Sequence, residues 1–70
     1  KIRFSLSFSE IASVKIFNSE GREVSVLVNS FLRSGNYELN WDASGFPSGV
    51  YFCRLFAGEF SASQKMILIK

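Results

Sequence analysis

The sequence predicts an all-β protein: a compact antiparallel β-sandwich of six to seven short strands. Three observations predict it. Apolar and polar residues alternate with period two through most of the chain, the signature of half-buried strands. Clusters of Gly, Asn, Asp, Ser and Pro interrupt that alternation at intervals of about eight to twelve residues. No segment sustains the i, i+3, i+4 spacing of an amphipathic helix.

Taken in order, Ile2, Phe4, Leu6 and Phe8 alternate with Arg3, Ser5 and Ser7, which predicts a strand over residues 1–8. Ala12, Val14 and Ile16 alternate with Ser13, Lys15 and Phe17, giving a strand over 11–18. Residues 18–21 (Asn-Ser-Glu-Gly) connect it to a third strand at 22–28, and Gly21 can take the left-handed conformation that such a turn requires. Ser34, Gly35 and Asn36 lead into a fourth strand at 36–41, where Tyr37, Leu39 and Trp41 share one face. Residues 42–49 (DASGFPSG) form a loop by composition, with Gly45, Pro47 and Gly49 as its breakers. Asp42 is suited to an Asx turn, its carboxylate accepting from the backbone just ahead. Strands at 49–57 and 60–69 flank Gly58-Glu59, a two-residue hairpin loop with glycine first.

That last loop fixes a register. If Ala57 faces Phe60, then Leu55 sits opposite Ala62, Cys53 opposite Gln64, and Tyr51 opposite Met66, with Leu68 continuing the row. Cross-strand partners share a face, so this set is the predicted core side. The other face carries Phe56 with Ser61, Arg54 with Ser63, Phe52 with Lys65, and Val50 with Ile67. Val50, Phe52, Phe56, Ile67 and Ile69 therefore point outward, with Phe17 as a neighbour, and form a candidate contact patch.

Composition narrows the function. Seventy residues support one domain and leave little material for an enclosed cleft as well as a core. Hydrophobic residues at 47% and charged residues at 20% are those of a globular chain. The absence of histidine removes Ser-His-Asp and Cys-His nucleophile systems and imidazole metal ligation. The net charge is +2 and the basic residues are scattered, which disfavours nucleic acid as a partner. No apolar run is long enough to span a bilayer, and no signal peptide is visible. The single Cys53 lies on the core side, where it serves as a small hydrophobe. Trp41 reads as core. The carboxylates form no calcium-loop spacing. A non-catalytic module with no cofactor and no metal is expected. The chain opens on Lys1, not Met, and so reads as a piece of a longer protein.

One ensemble of motifs resembles a known family. It runs from N-S-E-G-R-E-V (18–24) and Leu27-Val28 to Gly35 and W-D-A-S-G (41–45). It continues through P-S-G-V-Y-F (47–52) and Arg54-Leu55, and ends in K-M-I-L-I-K (65–70). Together these resemble the type A C-terminal sorting domains of type IX secretion cargo, and the related Ig-like domains of flagellar hook-capping proteins. Ending at Lys70, directly after the last apolar strand, favours the sorting-domain likeness. The resemblance implies an Ig-like sandwich at the C-terminal end of a longer secreted protein, an upstream cargo, and passage via the periplasm to the cell surface or exterior. It implies outer-membrane secretion machinery as partner, and a sortase-like peptidase that cuts upstream of the domain. It also makes Lys65, Met66, Ile67, Leu68, Ile69 and Lys70 the candidate recognition strand. An apolar terminal strand between two lysines can be read by strand addition, while the lysines discourage premature edge pairing. Two other readings stand beside it. One is a structural Ig-like module that packs or self-associates in an extracellular assembly of hook-cap or fibre type. The other is a carbohydrate binder using exposed aromatics.

Overall fold

The computed structural model describes residues 2–70, and Lys1, the first residue of the predicted 1–8 strand, lies outside them. The described residues form β1 (Ile2–Leu6), β2 (Glu10–Asn18), β3 (Glu23–Leu32), β4 (Gly35–Leu39), β5 (Gly49–Ala57) and β6 (Phe60–Leu68). β1 and β4 pair as a small sheet, and β3-β2-β5-β6 form a larger one, with every pairing antiparallel. The result is a small β-sandwich. No helix among the described residues is long and apolar enough to cross a membrane.

The core lies between the sheets and is built on period two. β2 contributes Ala12, Val14 and Ile16; β5 contributes Tyr51, Cys53, Leu55 and Ala57; β1 contributes Ile2 and Leu6 from the opposite layer. Val14 and Ile16 are fully enclosed. Phe4, Leu39, Tyr37, Val24, Leu27, Val28 and Leu32 pack around this centre as partly buried neighbours. Across the small sheet, Phe4 stacks on Tyr37 at 5.2 Å between ring centroids. The exposed Arg3–Glu38 ion pair at 3.5 Å adds little beside it.

The turns follow their chemistry. Gly21 sits at φ +82, its N–H donates to the Asn18 carbonyl, and the Asn18 side-chain oxygen accepts from the N–H groups of Glu20 and Arg22. Gly58 is at φ +60 while Glu59 keeps a negative φ, the sign pattern of a type II′ hairpin loop. The register predicted from that loop is the observed one, from Ala57↔Phe60 through Tyr51↔Met66 to Gly49↔Leu68. In the 42–49 loop, Ser44 N–H donates to Asp42 Oδ1 at 3.1 Å, the expected Asx turn. The Tyr51 hydroxyl donates to the Pro47 carbonyl at 2.7 Å. A tyrosine at a strand start that bonds backbone a few residues upstream is also a corner device of immunoglobulin-type sandwiches.

Some expectations need correction. The first strand ends at Leu6, and Phe8 is 53% exposed beyond it because the chain turns towards β2 instead of extending the β1–β4 pair. The third strand continues past residue 28 to Leu32. Asn29 and Ser30 look like a break in isolation, but Ser13 and Ala12 of β2 supply them with ladder partners. Register shifts on β3 skip Leu27 and Val24, so Leu27 and Val28 both reach the core while Val26 turns outward. The fourth strand ends at Leu39, and Trp41 belongs to the following loop, where it is only partly buried. Its ring meets Phe46 and Tyr51, each at 5.2 Å between centroids. On β6, Ala62 and Gln64 share the core-side row but are exposed, because the two-stranded sheet does not reach far enough to cover them.

Truncating Ile16 tests this centre. Ile16→Ala removes a fully enclosed side chain and should cost about 2–5 kcal/mol. A domain of this size has only roughly 4–10 kcal/mol in total. Urea denaturation should show a midpoint shifted far below the parent or no folded baseline at all.

The edge strand, its tether and the outer sheet face

Among the described residues β6 is an edge strand, bonded to β5 on one side only. In a two-residue hairpin the pair next to the loop exchanges both backbone bonds, and such pairs then alternate along the ladder. Ala57 and Phe60 are that pair. The N–H and C=O groups of Ser61, Ser63, Lys65 and Ile67 therefore point away from β5, along the free edge. The opposite edge, β3, differs in kind, because its two register shifts twist it and break its row of backbone groups. β6 is continuous over Phe60–Leu68 and contains neither a bulge nor a proline.

The structure divides the candidate recognition strand by side-chain direction. Lys65, Met66, Ile67 and Leu68 are the last residues of β6, opposite Phe52, Tyr51, Val50 and Gly49. Met66 and Leu68 pack against the core. Ile67 is 66% exposed, and Ile69, past the strand end, is 84% exposed. Lys70 is held. Its backbone N–H donates to Ser48 Oγ at 3.0 Å, and its ammonium donates to the Ser44 carbonyl at 2.6 Å. The 42–49 loop thereby clasps the chain just beyond β6. Pro47, Gly45 and Gly49 shape that loop, and Gly49 opens β5. No sequence signal marks the tether, since it joins residues more than twenty positions apart.

The outer face of the larger sheet carries the candidate contact patch. Val50, Phe52 and Phe56 project there from β5 as half-buried side chains, beside exposed Ile67; Ile69 lies beyond the ladder. Two residues outside that patch organise it. Arg54 lies over the Phe17 ring at 5.6 Å and the Phe56 ring at 5.7 Å. Lys15 stands directly opposite Arg54 on β2 and pairs with Glu23 at 3.3 Å. Phe17, Phe52, Arg54, Ser63 and Gly21 border a hollow of about 270 Å³ on this face. The sequence signal was present in Phe52-x-Arg54-x-Phe56, which alternation places on one side of one strand.

The two perturbed titrations are structural. The Ser44 backbone N–H, then the Ser44 side chain, and further off the Lys70 charge hold the Asp42 carboxyl below its ordinary 3.8. Burial pushes the Cys53 thiol above its ordinary 9.0, and no cationic partner opposes that shift. Cys53 therefore stays a neutral, enclosed thiol at neutral pH.

The fold, the edge position of β6 and the tether on Lys70 define a small β-sandwich module. The chain matches, over residues 1–70, the family described as the secretion system C-terminal sorting domain. It belongs to that family, whose members carry the type IX secretion signal and act in sorting and not in catalysis. Export to the cell surface or exterior is what membership implies. No curated protein and no solved structure matches the chain.

Two measurements check these assignments. Asp42→Asn should lower the thermal midpoint at pH values above 3.8, where the folded carboxylate is ionised. A carboxyl depressed in the folded state contributes stability that is lost as pH falls through its folded value. Parent and variant should therefore converge well below 3.8. Separately, Cys53 should react with a thiol reagent only as fast as the sandwich opens, and at once in denaturant.

Proposed function

We propose that residues 1–70 form a non-catalytic address domain that directs an upstream cargo from the periplasm through the type IX outer-membrane machinery to the surface or exterior. A sortase-like peptidase would then act on the segment joining cargo and domain. The observation that carries this reading is the continuous free edge of β6, which ends in residues 65–70 and is clasped at Lys70. A receptor strand added to that edge would gain backbone bonds from Ser61, Ser63, Lys65 and Ile67, while pockets for the outward Lys65 and Ile67 side chains would supply selectivity. The clasp keeps the strand end from fraying and so lowers the ordering cost of recognition.

A reporter fused ahead of residues 1–70, expressed in a cell with type IX machinery, should reach the exterior, and deletion of residues 65–70 should keep it inside. Because that deletion also removes Met66 and Leu68 from the core, Ile67→Pro is the sharper variant. Its lost N–H faces the free edge, so pairing to β5 survives while an incoming strand is blocked. Export should fall with the fold intact by circular dichroism. Normal export of both variants would refute the reading.

A further inference from the structure

Beyond the β6 edge, the outer face of the larger sheet holds an unresolved charge arrangement. Lys15 and Arg54 are direct cross-strand neighbours on one face, and like charges so placed repel. Glu23 answers Lys15 at 3.3 Å. Among the described residues no carboxylate answers Arg54, nor Lys65, which closes the neighbouring row Glu23–Phe17–Phe52–Lys65. The Arg54 guanidinium instead lies over the rings of Phe17 and Phe56, in cation–π contact with both. A ring contact of this kind engages the charge but not the N–H donors of a guanidinium, whose planar fork matches a carboxylate with two bonds. Contact with two rings restricts the side chain, which lowers the entropy cost of ordering it on binding.

We propose that this face is a second docking surface, in which Arg54 anchors a carboxylate of a protein partner that presents apolar side chains on either side of it. The proposal rests on the sorting reading: the partner is the component of the export apparatus that receives the folded domain. Charge selects the occupant. Among the described residues of this face Lys15, Arg54 and Lys65 stand against Glu23 alone, so two copies apposed through it would bring surfaces of the same sign together. An acidic partner removes the repulsion between Lys15 and Arg54 and meets Lys65 as well. Phe52 and Phe17 at the hollow, and Phe56 on the other side of Arg54 along β5, supply the apolar surface that flanking side chains would cover. β6 contributes to both surfaces, its edge to one and Lys65 and Ile67 to the other, so a receptor could grip the strand from the side and from above.

The test is the exported reporter carrying Arg54→Glu, Arg54→Lys, Lys65→Glu or Arg22→Glu. Arg54→Glu places a carboxylate opposite Lys15, a favourable cross-strand pair, so the fold should be retained, as near-ultraviolet circular dichroism of the 70-residue chain would show. Export of Arg54→Glu should drop at least tenfold and that of Lys65→Glu several-fold. Arg54→Lys, with charge but no fork, should fall between Arg54→Glu and the parent. Arg22→Glu makes the same change in net charge at the turn and should export normally. Normal export of Arg54→Glu and Lys65→Glu beside an exported parent would overturn the proposal and leave the sorting reading standing. An equal loss in Arg22→Glu would overturn it in favour of overall charge. Self-association of the parent chain that Arg54→Glu abolishes, or its co-sedimentation with phosphatidylglycerol vesicles, would overturn it in favour of another occupant. A parent reporter that is not exported refutes the sorting reading, and this inference with it.

Discussion

β2 and β5 lie side by side in the middle of the larger sheet, and between them they hold most of the fully enclosed core. Ala12 faces Ala57, Val14 faces Leu55, and Ile16 faces Cys53. Burying side chains of this kind stabilises by about 1.5–3 kcal/mol each for the larger ones. β3 and β6 add to the flanks of this pair as hairpin partners, and the β1–β4 sheet closes over it. At one end of the pair, Ala57 and Leu6 of the opposite layer line one small hollow. Without this contact the two hairpins would be isolated ribbons, and such ribbons are marginal in water.

The strict alternation that builds this core also dictates the outer face. Each inward residue of β2 and β5 obliges its neighbours to point out, so Phe17, Phe52, Arg54 and Phe56 meet above the same central pair. Among the described residues no third layer covers them. The aromatic rings are partly shielded by Arg54, whose guanidinium lies across them, and the sheet carries its positive surplus at that point. Core packing and surface chemistry are two sides of one pair of strands.

The C-terminal end depends on a different set of contacts. Trp41, Phe46 and Tyr51 pack together, the Tyr51 hydroxyl fixes the Pro47 carbonyl, and Ser44 and Ser48 then offer their oxygens to Lys70. A loop that looks like a simple connector thereby governs how the last strand is presented. Because β6 has a regular edge and β3 a bulged one, the two sides of the sheet are unequal as templates for strand addition.

Local periodicity and turn chemistry determined a good deal by themselves. The class of fold, the β5–β6 register, the Asx turn at Asp42, the enclosure of Cys53 and the outward direction of Phe52, Arg54 and Phe56 all follow from interactions within one hairpin or one turn. The motif ensemble also pointed to the family. Other features required the whole chain. The pairing of Ile2 with Leu39 and of Ala12 with Ala57, the shifts that turn Val26 outward, the extension of β3 to Leu32 and the clasp on Lys70 join residues far apart in sequence. So do the exposure of Ala62 and Gln64, which depends on how far the small sheet reaches, and the stacking of Arg54 on Phe17, which depends on which strand lies beside β5. Alternation tells a residue which face it occupies, but only the closed sandwich decides what stands opposite that face.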